Sequence, residues 1–343
     1  MKLPRVAIVL GIRLLVLAVV AGFYFFGQQP SPPRARSFEF TYVARVPELP
    51  PNARHLRLWI PLPKADDHQE ISDLEIDSPL PLKRRREREY GNEYLYLEVE
   101  GTDAPGPLEI TLRFRATRRE HRVALNRGNG TVAAAPAAGD VSMLARYLAP
   151  DRLVPTDGLI AALSEQATRG KDTPIEKARA IYDYVVSTMK YDKSGEGWGR
   201  GDAIYACNAR QGNCTDFHAL FIGMMRAAGI PARFEIGFSL PPDKTESEIA
   251  GYHCWAQFYV EPYGWIPVDA SEAWKYPEKR DYFFGAHDED RVLFTLGRDI
   301  RFNPAQGGEP LNYFIYPYAE VDAKEFKGVE SRFRFRDLSS PAH

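Results

Sequence analysis

The sequence predicts an α+β protein: a β-sandwich-like domain first, then a core in which helices give way to antiparallel strands. Three observations lead there. Residues 37–120 hold short segments that alternate apolar and polar side chains between Gly and Pro turns. Residues 141–300 open with segments of helical period and continue as strands. The chain has 343 residues, enough for two cores, and 44% hydrophobic with 26% charged residues is a globular composition. A formal net charge of −2 gives no overall field to attract nucleic acid, so nucleic acid is not an expected partner.

The first 27 residues stand apart. Lys2, Arg5 and Arg13 precede an apolar run from Leu14 to Phe26. That run has the length of a signal-peptide core; counted from Val6 it is long enough to span a bilayer, with Arg13 at the interface. Segment 1–27 is therefore a cleaved signal peptide or a retained membrane anchor. The anchor is favoured, because cleavage after Val19 and Ala21 would leave Phe-Tyr-Phe-Phe at the new terminus. With the basic residues ahead of the run, both readings put the rest of the chain outside the cytoplasm, membrane-anchored or periplasmic. Residues 28–36, Gln-Gln-Pro-Ser-Pro-Pro-Arg-Ala-Arg, read as a stiff linker.

In the β domain, Phe38–Val43, His55–Ile60, Tyr94–Val99 and Leu108–Phe114 are the expected strands. The basic run Lys83-Arg84-Arg85-Arg86-Glu87-Arg88 reads as a solvated edge or loop. Residues 121–140 form a connecting loop. Thr173-Pro174-Ile175-Glu176 carries an N-cap, a Pro at the first helical position and a Glu at the third, so a helix starts there. After the glycine-rich stretch Gly195–Gly201, a second helix runs from Cys214 to about Ala228. Its Phe217, Leu220, Phe221 and Met224 share one face, and Gly229 and Pro231 end it. Arg233–Gly237, Tyr252–Val260 and Trp265–Ala270 follow as strands. Residues 301–343 form a β extension, with strands expected at Asn312–Tyr316 and Phe333–Phe335.

The chemistry gathers around Cys214. At the N-terminus of a helix, free amide N–H groups favour a thiolate, the form that attacks carbonyl carbon. His253 begins one strand and Asp269 ends the next, so a hairpin brings them close. A four-residue loop would put the two side chains on opposite faces; an odd loop or a bulge would restore one face. His218, one turn after Cys214, is a rival base, less favoured because Asp216 points elsewhere. Taken singly, each residue is unremarkable: a buried thiol, a core-edge histidine, a turn aspartate.

Four blocks carry a resemblance. Gly212-Asn213-Cys214-Thr215-Asp216-Phe217-His218-Ala219-Leu220-Phe221, Gly229-Ile230-Pro231-Ala232-Arg233, His253-Cys254-Trp255 and Gly264-Trp265-Ile266-Pro267-Val268-Asp269 occur in an order and spacing that closely resemble the transglutaminase-like family over residues 140–300. The resemblance implies a papain-like α+β core. It carries over Cys214 as nucleophile, His253 as base and acid, and Asp269 as the residue that orients the imidazole. Relatives crosslink proteins, cleave peptides or deglycosylate amides, and many bacterial members carry a β-rich N-terminal domain. Gln257 stands where relatives often have Glu, so Trp255 and Gln257 become candidates for the substrate cleft.

The remaining expectations are finer. The Cys214 backbone N–H supplies one oxyanion donor; Gln211 and Trp198 are candidates for the second. Cys207 and Cys254 are candidates for a disulfide. Asp288-Glu289-Asp290 lacks an EF-hand pattern and reads as solvated; neither metal nor cofactor is expected. Trp198, Trp255, Tyr263, Trp265 and Trp274 could wall a tunnel, and Asp202 or Asp216 could hold an amine. The expected activity is acyl transfer from a peptide, protein or cell-wall peptide amide through a Cys214 thioester, with hydrolysis favoured over transfer to an amine. The opposing class is a catalytically silent envelope scaffold, which the presence of all three triad residues disfavours.

Overall fold

The computed structural model describes residues 32–101, 107–125 and 144–338. The expected signal or anchor, the first part of the linker and most of the 121–140 connection lie outside them. Among the described residues no helix is long and apolar enough to cross a membrane.

The N-terminal strands are β1 (Ala35–Val46), β2 (His55–Pro61), β3 (Gln69–Asp77), β4 (Lys83–Arg86), β5 (Glu93–Glu100), β6 (Leu108–Arg119) and β7 (His121–Arg122). Then come α1 (Gly158–Thr168), α2 (Pro174–Thr188), β8 (Lys190–Tyr191), α3 (Ala203–Ala209), β9 (Gln211–Gly212), α4 (Cys214–Ala227), β10 (Ala232–Ser239), β11 (Glu246–Glu248), β12 (His253–Val260), β13 (Gly264–Val268) and α5 (Ala270–Lys275). The chain ends through β14 (Ala286–His287), β15 (Arg291–Leu296), β16 (Tyr318–Val321), β17 (Lys324–Glu325) and β18 (Glu330–Asp337).

Two five-stranded sheets make up the β part, in the orders β11-β18-β1-β6-β3 and β17-β16-β2-β5-β4. Strand β1 shows why alternation was readable: every second residue from Phe38 to Val46 is buried. The first four residues of the basic run form β4, an exposed edge strand that among the described residues pairs with β5 alone. Charge on an edge discourages pairing with other chains.

Three boundaries differ from expectation. The linker ends earlier, because β1 begins at Ala35 and Arg36 is bound to Asp290 and Asp337. The C-terminal residues are no separate extension: β16 pairs with β2, and β18 pairs with β1 from Phe38↔Asp337 to Arg45↔Glu330. Residues 312–316 are not a strand; they form an irregular segment whose Tyr313 hydroxyl donates to the Gly199 carbonyl at 3.1 Å.

The second half has a four-stranded antiparallel sheet in the order β13-β12-β10-β15. Helix α4 packs on it, with Phe221 edge-on to Phe258 at 6.4 Å. Helix α2 starts as expected: Thr173 and Glu176 form a reciprocal capping box. The halves share one core. Phe238 of β10 and Phe294 of β15 pack against Phe40 of β1 at 5.4 and 5.7 Å between ring centres. The helix and hairpin that carry the site are thereby anchored to the sandwich.

Candidate active site

Cys214 opens α4 and is 2% exposed. Asn213 caps this helix, its Oδ1 accepting from Thr215 N at 3.0 Å. Asp216 reaches back to Asn213 N at 2.9 Å and also accepts from Gly199 N at 2.7 Å and Gly201 N at 2.9 Å. The glycine-rich loop is thus fastened to the nucleophile helix by one carboxylate. Gly212 is required for that approach, since a Cβ there would lie 2.3 Å from Asp216 Oδ2. Burial pushes the Cys214 thiol up, but hydrogen bonds from Cys254 and His253 and the His253 charge hold it well below the ordinary thiol range.

The β12–β13 hairpin answers the question of faces. Val260 pairs with Gly264 and Ala256 with Val268, so the connection is the three residues Glu261-Pro262-Tyr263. That odd loop puts His253 and Asp269 on one face. His253 Nε2 donates to Asp269 Oδ2 at 2.7 Å, which leaves Nδ1 for the thiol. Burial opposes the imidazolium, yet the Asp269 charge, the bond to Asp269 and the bond to Cys214 raise its pKa to about 10. Burial likewise opposes the Asp269 carboxylate, but the His253 charge and hydrogen bond, then His218 and Arg291, keep it well below the usual range.

Asp269 is fixed on both oxygens. Oδ1 accepts from Ser271 Oγ at 3.0 Å and Glu272 N at 2.9 Å, capping α5. Oδ2 also meets Arg291 Nη1 at 3.4 Å, and Arg291 is held by Asp288 at 2.9 Å. Ser271 and Arg291 are site residues that sequence reasoning missed. Ser271 carried a faint signal, two residues past an N-cap aspartate; Arg291 carried none, because its role depends on a contact 22 residues away.

His218 takes a different part. Its Nδ1 donates to the Cys214 carbonyl at 2.8 Å, and its Nε2 accepts from Ala270 N at 3.2 Å. Both ring nitrogens are engaged, and burial lowers its pKa despite the nearby Asp269 charge. It is a neutral brace between α4 and the start of α5.

Several expectations need correction. Trp255 is fully buried on the face opposite the helix, with its indole N–H on Glu235 Oε2 at 2.6 Å. Gln257 is buried with Oε1 accepting from Arg233 Nη2 at 2.8 Å. Neither lines an open cleft; the alternation of β12 turns both into the sheet's polar underside. Gln211 gives its amide to the Ser194 carbonyl at 3.3 Å, and Trp198 lies beneath Lys193 at 6.0 Å, so each serves the glycine-rich loop. All three cysteines are free. The Cys207–Cys254 bridge is absent because Cys254 faces His218 Nδ1 at 3.7 Å, while Cys207 sits half-buried in α3. Asp202 caps α3, and Asp216 caps α4, so neither is open to an amine. Trp265 is covered by Arg233 at 4.3 Å, and Trp274 lies against Tyr191 at 6.3 Å. Asp288, Glu289 and Asp290 are not solvated but paired with Arg291, Arg34 and Arg36.

Comparison with known proteins bears on this geometry. A family profile described as the transglutaminase-like superfamily matches residues 161–270. An uncharacterised protein of Haemophilus influenzae is 27% identical over 85% of this chain and 90% of its own length. The uncharacterised protein YebA of Bacillus subtilis is 23% identical over 34% of this chain and 18% of its own. A solved structure of a candidate cysteine protease from Cytophaga hutchinsonii aligns with a TM-score of 0.58 at 18% identity, covering 90% of this chain and 93% of that one. Because the matched segment runs from α1 through α4 to the first residue of α5, it contains the thiol, the imidazole and the carboxylate together, and over those residues the chain is similar to the transglutaminase-like superfamily.

Proposed function

We propose that the protein is a cysteine enzyme that hydrolyses amide bonds in a peptide, protein or cell-wall peptide. The observation that carries this reading is the 2.7 Å bond between His253 Nε2 and Asp269 Oδ2, which aims the other ring nitrogen at a thiol already biased toward thiolate. Cys214 Sγ attacks the amide carbon, and its own backbone N–H, at the first turn of α4, faces the developing oxyanion. The His253 imidazolium gives its proton to the departing amine. Water then attacks the thioester with His253 as base, and Asp269 holds the ring throughout.

Hydrolysis is favoured over amine transfer because transfer needs a site for the amine, and the two carboxylates weighed for it are both helix caps. The apolar segment before the linker supports a location outside the cytoplasm. Purified protein should release amine from a suitable amide with no added amine, and Cys214→Ala should not. Turnover that appears only with a primary amine, retained in the product, would make the protein a transferase. Protection from protease added to spheroplasts would refute the location.

A further inference from the structure

Cys254 forms no bond to substrate in the acyl chemistry, yet it is placed against it. It follows His253 directly, is fully buried and points toward α4 rather than to the face used by Trp255 and Gln257. Its Sγ lies 3.7 Å from His218 Nδ1, the same nitrogen that donates to the Cys214 carbonyl at 2.8 Å. One imidazole nitrogen therefore bridges Cys254 and the backbone of the nucleophile. Burial, and then the neighbouring Cys214 thiol, push the Cys254 thiol well above its ordinary range. Cys207 is excluded from this group by its position on α3, beside Arg210 and Tyr184.

We propose that Cys254 is the resolving thiol of a redox switch at Cys214. This rests on the reading of Cys214 as the reactive thiol. Hydrogen peroxide is the oxidant: the Cys214 thiolate attacks one peroxide oxygen, the O–O bond breaks, and hydroxide leaves and takes up a proton as water. Cys214 becomes a sulfenic acid. The Cys254 thiol then attacks the Cys214 sulfur, the S–O bond breaks, and the hydroxide leaves with the Cys254 proton as a second water. Two electrons have passed from the two sulfurs to the peroxide, and a Cys214–Cys254 disulfide closes the site. A dithiol reductant reopens it by exchange. The intramolecular partner protects the nucleophile from sulfinic and sulfonic acids, from which a dithiol cannot recover it.

The test uses the full chain, with Cys207→Ser as background so that only two thiols remain. Untreated protein is first alkylated with iodoacetamide at neutral pH. Rapid labelling of Cys214 shows that it is the reactive thiol; its failure to label overturns the catalytic reading, and with it this switch. A fresh, unalkylated sample of protein that labels is then treated with a several-fold molar excess of hydrogen peroxide and weighed intact. The expected result is loss of two hydrogens, loss of alkylation at Cys214 and recovery of both by dithiothreitol. With Cys254→Ser added, peroxide should instead add two or three oxygens at Cys214, beyond recovery by dithiothreitol. Addition of oxygens without loss of hydrogens while Cys254 is present overturns the switch and leaves the catalytic reading intact. So does identical recovery in the Cys254→Ser variant.

Discussion

The sandwich core and the active-site shell are equally buried, yet they are built from opposite materials. Around Phe40, rings from both halves meet: Phe114, Phe238 and Phe294 lie 5.4 to 5.7 Å away. Around Asp269, at no exposure, stand His253, His218, Arg291 and Ser271. Burial stabilises the first region simply by removing apolar surface from water. In the second it penalises every charge, and stability returns only because each has a partner. The first region should therefore respond to volume and ignore pH, while the second should respond to pH and to single atoms.

The largest effect divides chemistry from folding. Cys214→Ala should lower kcat by about 10⁴-fold or more, with a melting temperature within a few degrees of the parent. His253→Ala should match it in rate. A surviving rate in His253→Ala with none in His218→Ala would break the assignment of base and brace; initial-rate assays of the two variants decide it.

Asp269→Ala should damage both links at once. It removes the partner of His253 and Arg291 and the cap of α5, so a destabilisation of about 3–5 kcal/mol is expected along with slow turnover. Phe40→Ala should cost about as much, about 3–5 kcal/mol, in the other region. The difference lies in the titration: Phe40→Ala, kept below its melting temperature, should leave the pH profile of Cys214 alkylation unmoved, whereas Asp269→Ala should shift its upper limb down. Denaturant unfolding and an alkylation series check both.

The pH signs follow from the same shell. His253 is raised from 6.5 to about 10, so its contribution to stability is complete below pH 6.5 and is lost as pH rises through about 10. Asp269 is lowered below 3.8, so its contribution is complete above pH 3.8 and is lost as pH falls through its depressed value. The thiolate–imidazolium pair requires pH above the depressed Cys214 value and below about 10. Across a melting-temperature series from pH 3 to 11, the His253 contribution should be complete up to pH 6.5 and decline from there to about pH 10, and the Asp269 contribution should decline below pH 3.8. A His253→Gln variant that shows the same pH dependence as the parent above pH 6.5 would show His253 to be unshifted. The smallest effect is expected from Gln211→Ala, since the lost bond to the Ser194 carbonyl is exposed and long; kcat should change by less than about tenfold. A larger fall would return Gln211 to the oxyanion hole.

Much of the site was legible because its signals are local. Thr173 and Glu176 announce their helix within four residues, and Asn213 and Asp216 do the same for α4. The His253–Asp269 hairpin was legible except for its face, because face depends on one residue of loop length. What stayed hidden depends on contacts far apart in the chain. Trp255 and Gln257 look like cleft residues beside His253, and only the packing of β12 turns them under the sheet. Helix α1 fully buries Ile160 and Ser164, whereas Leu159 is exposed, so its apolar stripe does not mark the face that packs. The pairing of β18 with β1 joins residues about 300 positions apart, a distance at which no local pattern speaks.

That last pairing sets an order of events. Strand β1 lies between β18 and β6, so an early strand of the chain needs one of the last as its neighbour. During synthesis, the helix and hairpin of the thiol site emerge from the ribosome before residues 330–337 do. Until then β1 presents one open edge, with unpaired N–H and C=O groups from Phe38 to Arg45. The nascent protein therefore makes its reactive centre first and seals its outer sheet last, and a holdase that covers one strand would bridge the interval.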